Sequence, residues 1–228
     1  MSGQYRHEQK YICSFGQMMH LYEVMSAILP ADAHQNGSYH IKSLYFDTEK
    51  NRFLQESLDG VSERSKYRLR RYDEEKEKIK FECKSSYFQL KQKRFEWLSK
   101  KEAENMLCSQ DCENFLNRLL LKEFYCLKKT EKLSPKIIID YDRTAFVHKG
   151  LNVRITLDQN ITVSQKPEQF LNDNTYGKNI LSDNAGILEV KFDDILPPYI
   201  VQVLGLEDLE QTAFSKYVMG RLVFNDIR

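Results

Sequence analysis

What the chain lacks narrows its identity first. No Pro-, Gly- or Ser-rich linker interrupts the 228 residues and no stretch repeats another, so a single domain over 1–228 is expected, a length that one β-barrel can fill. No sign of charge dominates, with 34 Lys and Arg against 33 Asp and Glu. A general electrostatic binder of nucleic acid is basic overall, so nucleic acid is not an expected partner. The longest uncharged apolar run, near Ile200 to Leu206, falls far short of the roughly 20 residues that span a bilayer, so no membrane segment is expected. The opening Met-Ser-Gly-Gln-Tyr-Arg lacks the apolar stretch of a signal peptide. The five cysteines, at 13, 83, 108, 112 and 126, include no CxxC pair. Cys108 and Cys112 lie four apart on an expected helix, but no His or Cys pair nearby completes a zinc site. They read as reduced thiols of a cytoplasmic protein.

What the chain has is 41% apolar residues with 13 Tyr and 13 Phe, enough for a packed core, and a segregation of charge along its strands. In Lys66-Tyr-Arg68-Leu-Arg70-Arg-Tyr72, an extended backbone puts Lys66, Arg68, Arg70 and Tyr72 on one face and Tyr67, Leu69 and Arg71 on the other. Ile79 to Lys84 repeats the pattern, with Lys80, Glu82 and Lys84 in front and Ile79, Phe81 and Cys83 behind. A turn at 73–76 makes the pair an antiparallel hairpin. Cations in one row repel unless water, salt or an anion screens them. The row is therefore either a solvated outer face or a surface for phosphate oxygens.

Further strands are expected at 5–13, 38–47, 87–98, 136–147, 151–163 and 186–192. Helices are expected at 17–29, from the cap Ser99 with Glu102 three residues on, at 112–127, from Pro197-Pro198 to Leu204, and at 212–222. In the 112–127 helix, Phe115, Leu116, Leu119, Leu120, Phe124 and Leu127 should face the core. Residues 51–58 form a short irregular or helical link, Asp59-Gly60 a turn, and 164–185 a long polar loop or lid. His20 and His148 read as ordinary surface or core histidines.

The fold class is α+β. Strands separated mostly by turns favour a closed or nearly closed antiparallel sheet, with the apolar stripes of the helices packed on its outside. Nearly every strand carries a charged row, and in a barrel those rows converge on one channel. Its basic members are Lys10, Arg68, Arg70, Lys84, Lys91, Arg94, Arg143, Arg154 and Lys191; its acidic members are Glu8, Glu82 and Glu189. Burying unpaired charge costs several kcal/mol per ion, so such a channel is expected to hold water and a polyanion. Arg forks and Lys point charges suit phosphate. The carboxylates suit Mg²⁺ or Mn²⁺ shared with substrate phosphates.

These residues fall into motifs that occur in order along the whole chain: Glu8-x-Lys10-Tyr11, Ser43-Leu-Tyr-Phe-Asp47-Thr48, Leu58-Asp59-Gly60, Lys66-x-Arg68-x-Arg70-x-Tyr72, Glu82-x-Lys84, Lys91-x-x-Arg94, Tyr141-x-Arg143, Val153-Arg154-Ile-Thr-x-Asp158, Leu188-Glu189-Val-Lys191 and Ser215-Lys216-Tyr217. Together they resemble the polyphosphate polymerase domain of the vacuolar transporter chaperone (VTC) type, within the triphosphate tunnel metalloenzymes. The resemblance implies a closed antiparallel barrel of about eight strands, a triphosphate tunnel, with a C-terminal helix at one end. It implies a metal-dependent transfer of the ATP γ-phosphate to polyphosphate. Glu189 would bind Mn²⁺ or Mg²⁺, with Glu8 and Glu82 as further candidate ligands. Lys10, Arg68, Arg70 and Arg154 would grip the γ-phosphate, and Lys84, Arg143 and Lys191 would line the wall with Lys91 and Arg94. Ser215 and Lys216 would sit near the start of the closing helix, where an anion is favoured.

The chain departs from the family at three places. Arg6 stands where related triphosphatases and adenylate cyclases carry the first Glu of Glu-x-Glu-x-Lys. Ser86 stands where eukaryotic polymerases have His, and a second lysine of the closing helix falls near Ala213. The lipid-binding and membrane domains of the eukaryotic complex are not expected in this chain. Three activities stay open: polymerase, triphosphate or polyphosphate hydrolase on the same fold, and a non-catalytic module that binds polyphosphate or nucleotide.

Overall fold

The computed structural model describes residues 7–32, 38–88, 90–108, 117–173, 176–182, 184–206 and 208–224. They form, in order, β1 His7–Cys13, α1 Phe15–Ile28, β2 Ser38–Asp47, α2 Arg52–Leu58, β3 Arg64–Tyr72, β4 Lys78–Tyr87, β5 Leu90–Ser99, α3 Lys100–Leu107, α4 Leu119–Thr130, β6 Ser134–His148, β7 Val153–Ser164, β8 Lys178–Asn179, β9 Gly186–Phe192, α5 Pro198–Leu206 and α6 Lys216–Leu222. No helix among the described residues is long and apolar enough to cross a membrane.

Contacts divide the chain into two compact units. The first gathers Met1–His40, Tyr141–Ile161 and Asn179–Ser215; the second gathers Ile41–Asp140, Thr162–Lys178 and Lys216–Arg228. Each is assembled from separate stretches, so neither can be cut out as one continuous piece. Strand order in the first unit is β1–β9–β7–β6 and in the second β6–β2–β3–β4–β5, with β6 contributing to both and β8 adding to β7. This is the large antiparallel sheet expected of the sequence. Its strand order does not close as the expected barrel would: it ends at β1 and at β5, which are not paired among the described residues. The reason at β1 is local. Its outer edge is taken by the chain at 211–212, through a bridge from Tyr11 to Gln211 and a 2.8 Å bond from the Thr212 N–H to the Lys10 carbonyl. Backbone groups that another strand could have used are thereby satisfied.

In the first unit α1 starts two residues before the expected Gln17, because Ser14 and Gln17 form a capping box. Its Met18, Leu21 and Met25 are buried against Val153, Ile155, Leu157, Leu188 and Val190. Burial of such side chains contributes about 1.5–3 kcal/mol each. Gly186 opens β9 where a Cβ would come within 2.5 Å of Met18 Cε and 2.8 Å of the Asp158 carbonyl oxygen; only a glycine lets the strand start this close.

The second unit packs α3 and α4 against β3–β5. Phe46, Tyr67, Phe81 and Phe124 interlock around one point, the last meeting Phe46 and Phe81 edge to face at 4.9 and 5.0 Å. Ser99 and Glu102 form the expected capping box. α4 departs from expectation: it begins at Leu119, which is exposed, and buries Leu120, Leu121, Phe124 and Tyr125. Phe115 and Leu116 lie outside the described residues. The 51–58 link is helical, and Gly60 takes the left-handed conformation, φ +67°, that ends it in a turn.

Candidate functional site

The first unit gathers one charged cluster on neighbouring strands. Antiparallel register sets Lys10 of β1 opposite Glu189 of β9 and Glu8 opposite Lys191. On the other side of β9, Thr156 stands opposite Glu189 and Arg154 opposite Lys191. Glu189 is buried, with Lys191 Nζ at 3.1 Å, Arg143 Nη2 at 3.8 Å and Lys10 Nζ at 3.9 Å. Burial alone would raise the Glu189 carboxyl, but Lys191, a hydrogen bond with Glu8, Lys10 and Arg143 outweigh it and hold the group well below the ordinary carboxylate range.

Every cation of this cluster is held. Lys10 reaches Glu8 at 3.0 Å and donates to the Phe214 carbonyl at 3.1 Å. Arg143 grips Asp158 with two bonds of 2.6 and 2.7 Å. Arg154 meets Asp32 at 2.8 Å and the Tyr39 hydroxyl at 2.9 Å. Four cations thus face four carboxylates, Glu8, Asp32, Asp158 and Glu189. The channel expected from the sequence, with nine basic members and three acidic ones, is in this unit a balanced network, because Asp32 and Asp158 join Glu8 and Glu189. Asp32 and Tyr39 carried no signal, since neither falls in phase with a charged row.

The second unit is different. On one face of β3–β5, register aligns Lys66 with Lys84, Arg68 with Glu82 and Arg70 with Lys80, then Lys84 with Lys93 and Glu82 with Phe95. Three cations converge on one carboxylate, and Lys66, Lys80 and Lys84 lie in register beside them. Glu82, 1% exposed, takes Arg68 Nη2 at 2.5 Å, Lys93 Nζ at 2.6 Å and Arg70 Nε at 3.9 Å. Burial pushes its carboxyl up, yet Arg68, Arg70 and Lys93 hold it far below the usual range. Arg68 and Lys93 lie closer to Glu82 than any cation lies to Glu189, so a metal ion at Glu82 would have to displace two tight ion pairs. Arg68 also donates to the Tyr45 hydroxyl at 2.9 Å. Burial raises the Tyr45 phenol, but Arg68 and Arg70 overcome this and bring it down to about 8. Lys93 is brought down to about 8, first by burial and then by Arg68 and Arg70, against the pull of Glu82.

One expected member lies elsewhere. Arg94 is one residue out of phase with Lys93 and points to the helix side, where it grips Glu123 of α4 with bonds of 2.8 and 2.6 Å. Strand periodicity would have chosen Lys93 in its place. Lys91 lies on β5 opposite Ser86, with its side chain outside the described residues. Ser215 precedes α6 and Lys216 begins it, but α6 has seven residues, not the eleven expected from 212 to 222. So short a helix has little dipole to offer an anion.

Two carboxylates side by side, Glu8 and Glu189, are hard oxygen donors. Thr156, opposite Glu189, has a buried hydroxyl without a hydrogen-bond partner among the described residues. This donor set fits a hard divalent cation that takes its remaining ligands from water or phosphate. No group of three or more His, Cys, Asp or Glu that could hold a metal alone occurs among the described residues.

The model of the VTC domain family matches residues 5–225. No curated protein matches the chain. Among solved structures, a candidate adenylate cyclase from Bacillus halodurans is similar at 14% identity and a TM-score of 0.55, covering 92% of this chain and 95% of that one. A candidate adenylyl cyclase from Hippeastrum, described as having a dominant triphosphatase activity, is similar at 14% identity and a TM-score of 0.56, covering 95% of both chains. Identities this low speak for the fold.

Proposed function

The chain belongs to the VTC domain family, and from that premise we propose that it is a metal-dependent polyphosphate polymerase, transferring the γ-phosphate of ATP to a growing polyphosphate chain. One observation carries the reading: Arg68, Arg70 and Lys93 converge on Glu82, with Lys66, Lys80 and Lys84 in register beside them, a face of β3–β5 rich in cations. Phosphate chains supply anionic charge at high density. Arg68 and Arg70 would hold the phosphates by fork geometry, and Lys66, Lys84 and Lys93 by charge. Lys10, Arg143, Arg154 and Lys191 would reach phosphate oxygens by exchanging a carboxylate partner for them.

Glu189 and Glu8, with the Thr156 hydroxyl, would hold Mg²⁺ or Mn²⁺. The ion would neutralise charge on the phosphate oxygens that the transfer loads. In the transfer, a terminal phosphate oxygen of the acceptor forms a bond to the γ-phosphorus and the bond to the ADP oxygen breaks. The nucleophile is already anionic, so no general base is required. What the residues contribute is alignment and charge stabilisation.

Hydrolysis of triphosphate on the same scaffold is the second reading, favoured by the activity described for the Hippeastrum protein. Incubating the chain with ATP and Mn²⁺ separates them on a polyacrylamide gel. Polymerisation gives lengthening chains with one ADP per phosphate added. Orthophosphate without chains would support the hydrolase.

A further inference from the structure

β5 stands at the end of the strand order in the second unit and presents two aromatic rings on the cationic face. Phe95 is 49% exposed and Trp97 42%. Their rings meet edge to face at 6.4 Å. The Lys80 ammonium lies over both, 4.0 Å from the Phe95 centroid and 5.2 Å from that of Trp97. Register fixes their place: Phe95 is opposite Glu82 and Trp97 opposite Lys80, while on β3 Arg68 is opposite Glu82 and Arg70 opposite Lys80. Two strand spacings, about 10 Å, separate the aromatic row from the guanidinium row.

The opposite face of β5 shows how the strand disposes of its other side chains. Arg94 pairs with Glu123, Glu96 with Arg118, and Leu98 is buried. Phe95 and Trp97 alone among these leave large apolar surfaces in water, at a cost proportional to the exposed area. An inorganic polyphosphate has no use for them, because the face of an aromatic ring is itself negative. A nucleobase has a use: it stacks on such rings whatever its identity. Lys80 lies between the rings and Arg70, where the first phosphate after a ribose would need a cation.

We propose that Phe95, Trp97 and Lys80 form a nucleobase platform, with the ribose and phosphates of a nucleoside triphosphate crossing β4 to Arg68 and Arg70. The proposal rests on the reading that this face holds phosphates. It adds that one occupant is a nucleotide held by stacking, with little preference among bases.

Trp97 is the chain's one tryptophan, so intrinsic fluorescence reads the platform directly. The chain is titrated with ATP and, separately, with inorganic tripolyphosphate at equal ionic strength, following emission and heat. Both ligands should bind; ATP should quench Trp97 and tripolyphosphate leave its emission nearly unchanged. Phe95→Ala and Trp97→Ala should each weaken ATP by about 10-fold with tripolyphosphate affinity unchanged, and Trp97→Phe should retain most of the ATP affinity. Unchanged ATP affinity in both alanine variants overturns the platform, as does an equal loss for the two ligands. A change of oligomeric state with ATP affinity intact also overturns it, assigning the rings to a protein contact. Absence of tripolyphosphate binding to the parent chain would instead overturn the phosphate reading beneath.

Discussion

Glu82 decides how the second unit's charges should behave. It is the carboxylate on which Arg68, Arg70 and Lys93 converge on the β3–β5 face. Glu82→Gln should destabilise the ligand-free chain by roughly 2 kcal/mol, since Arg68, Arg70 and Lys93 lose their common partner. Added tripolyphosphate should then raise the melting temperature of the variant more than that of the parent. A variant that instead lost its metal response would return Glu82 to the metal site. The pH response has two parts of opposite sign. Lys93 and Tyr45 both titrate near 8 in the folded chain, against 10.5 and 10.0 unfolded. Above pH 8 the face loses one positive charge and gains one negative, so tripolyphosphate affinity should fall as pH rises through about 8. Between about 8 and 10 the unfolded chain binds more protons than the folded one, so these two groups make stability rise with pH. Calorimetric affinity and denaturant midpoints measured at pH 7 and 9 check both signs; Lys93→Met with Tyr45→Phe should flatten both. At this scale the sequence was legible where alternation holds. Arg68, Arg70 and Glu82 share a face because their spacing is even. Arg94 was misplaced because basic character was followed across an odd spacing.

Among the elements, α6 is tied down by a buried carboxylate. Asp47 accepts from the N–H groups of Thr48, Phe53 and Leu54 at 2.7, 2.9 and 3.0 Å, which anchors the start of α2. It also accepts from the Tyr217 hydroxyl at 2.5 Å, and Arg221 of α6 lies 3.6 Å away. Burial and Asp47 keep the Tyr217 phenol protonated far above its ordinary range. Tyr217 in turn stacks on Tyr45 at 5.1 Å, the residue that receives the Arg68 bond. Asp47→Ala should cost about 3–5 kcal/mol, read from the denaturation midpoint, because the Tyr217 hydroxyl and three backbone donors lose their buried acceptor. A loss under 1 kcal/mol would remove this account of the helix. Strand boundaries and the Ser99 cap were legible because their signals are local. The capping box at Ser14 is equally local, with Gln17 three residues on. The late start of α6 was not legible: residues 211 and 212 pair with β1, a long-range competition that no helical periodicity reveals.

Taken whole, a chain of nearly balanced charge separates it into two kinds of cluster. One unit balances four cations with four carboxylates around Glu189; the other concentrates cations around Glu82. The antiparallel sheet and its charged rows could be read from alternation, whereas its ends could not, because edge satisfaction at β1 depends on a segment two hundred residues away. The two clusters should fail differently. Glu189→Gln should reduce turnover at least 100-fold, as loss of a group stabilising developing charge does, and leave tripolyphosphate binding on the second unit intact. Arg68→Ala should weaken tripolyphosphate binding itself. With Glu189 held ionised in the fold, its contribution to stability is present at neutral pH and lost as pH falls below the ordinary carboxylate range.

The most direct measurement follows the label from γ-³²P-ATP in the presence of Mn²⁺ or Mg²⁺, in the parent chain and in Glu189→Gln. The reading requires label to accumulate in acid-stable phosphate chains in step with ADP, and to stop in the variant. Label released only as orthophosphate, or chains formed equally well without Glu189, would contradict it.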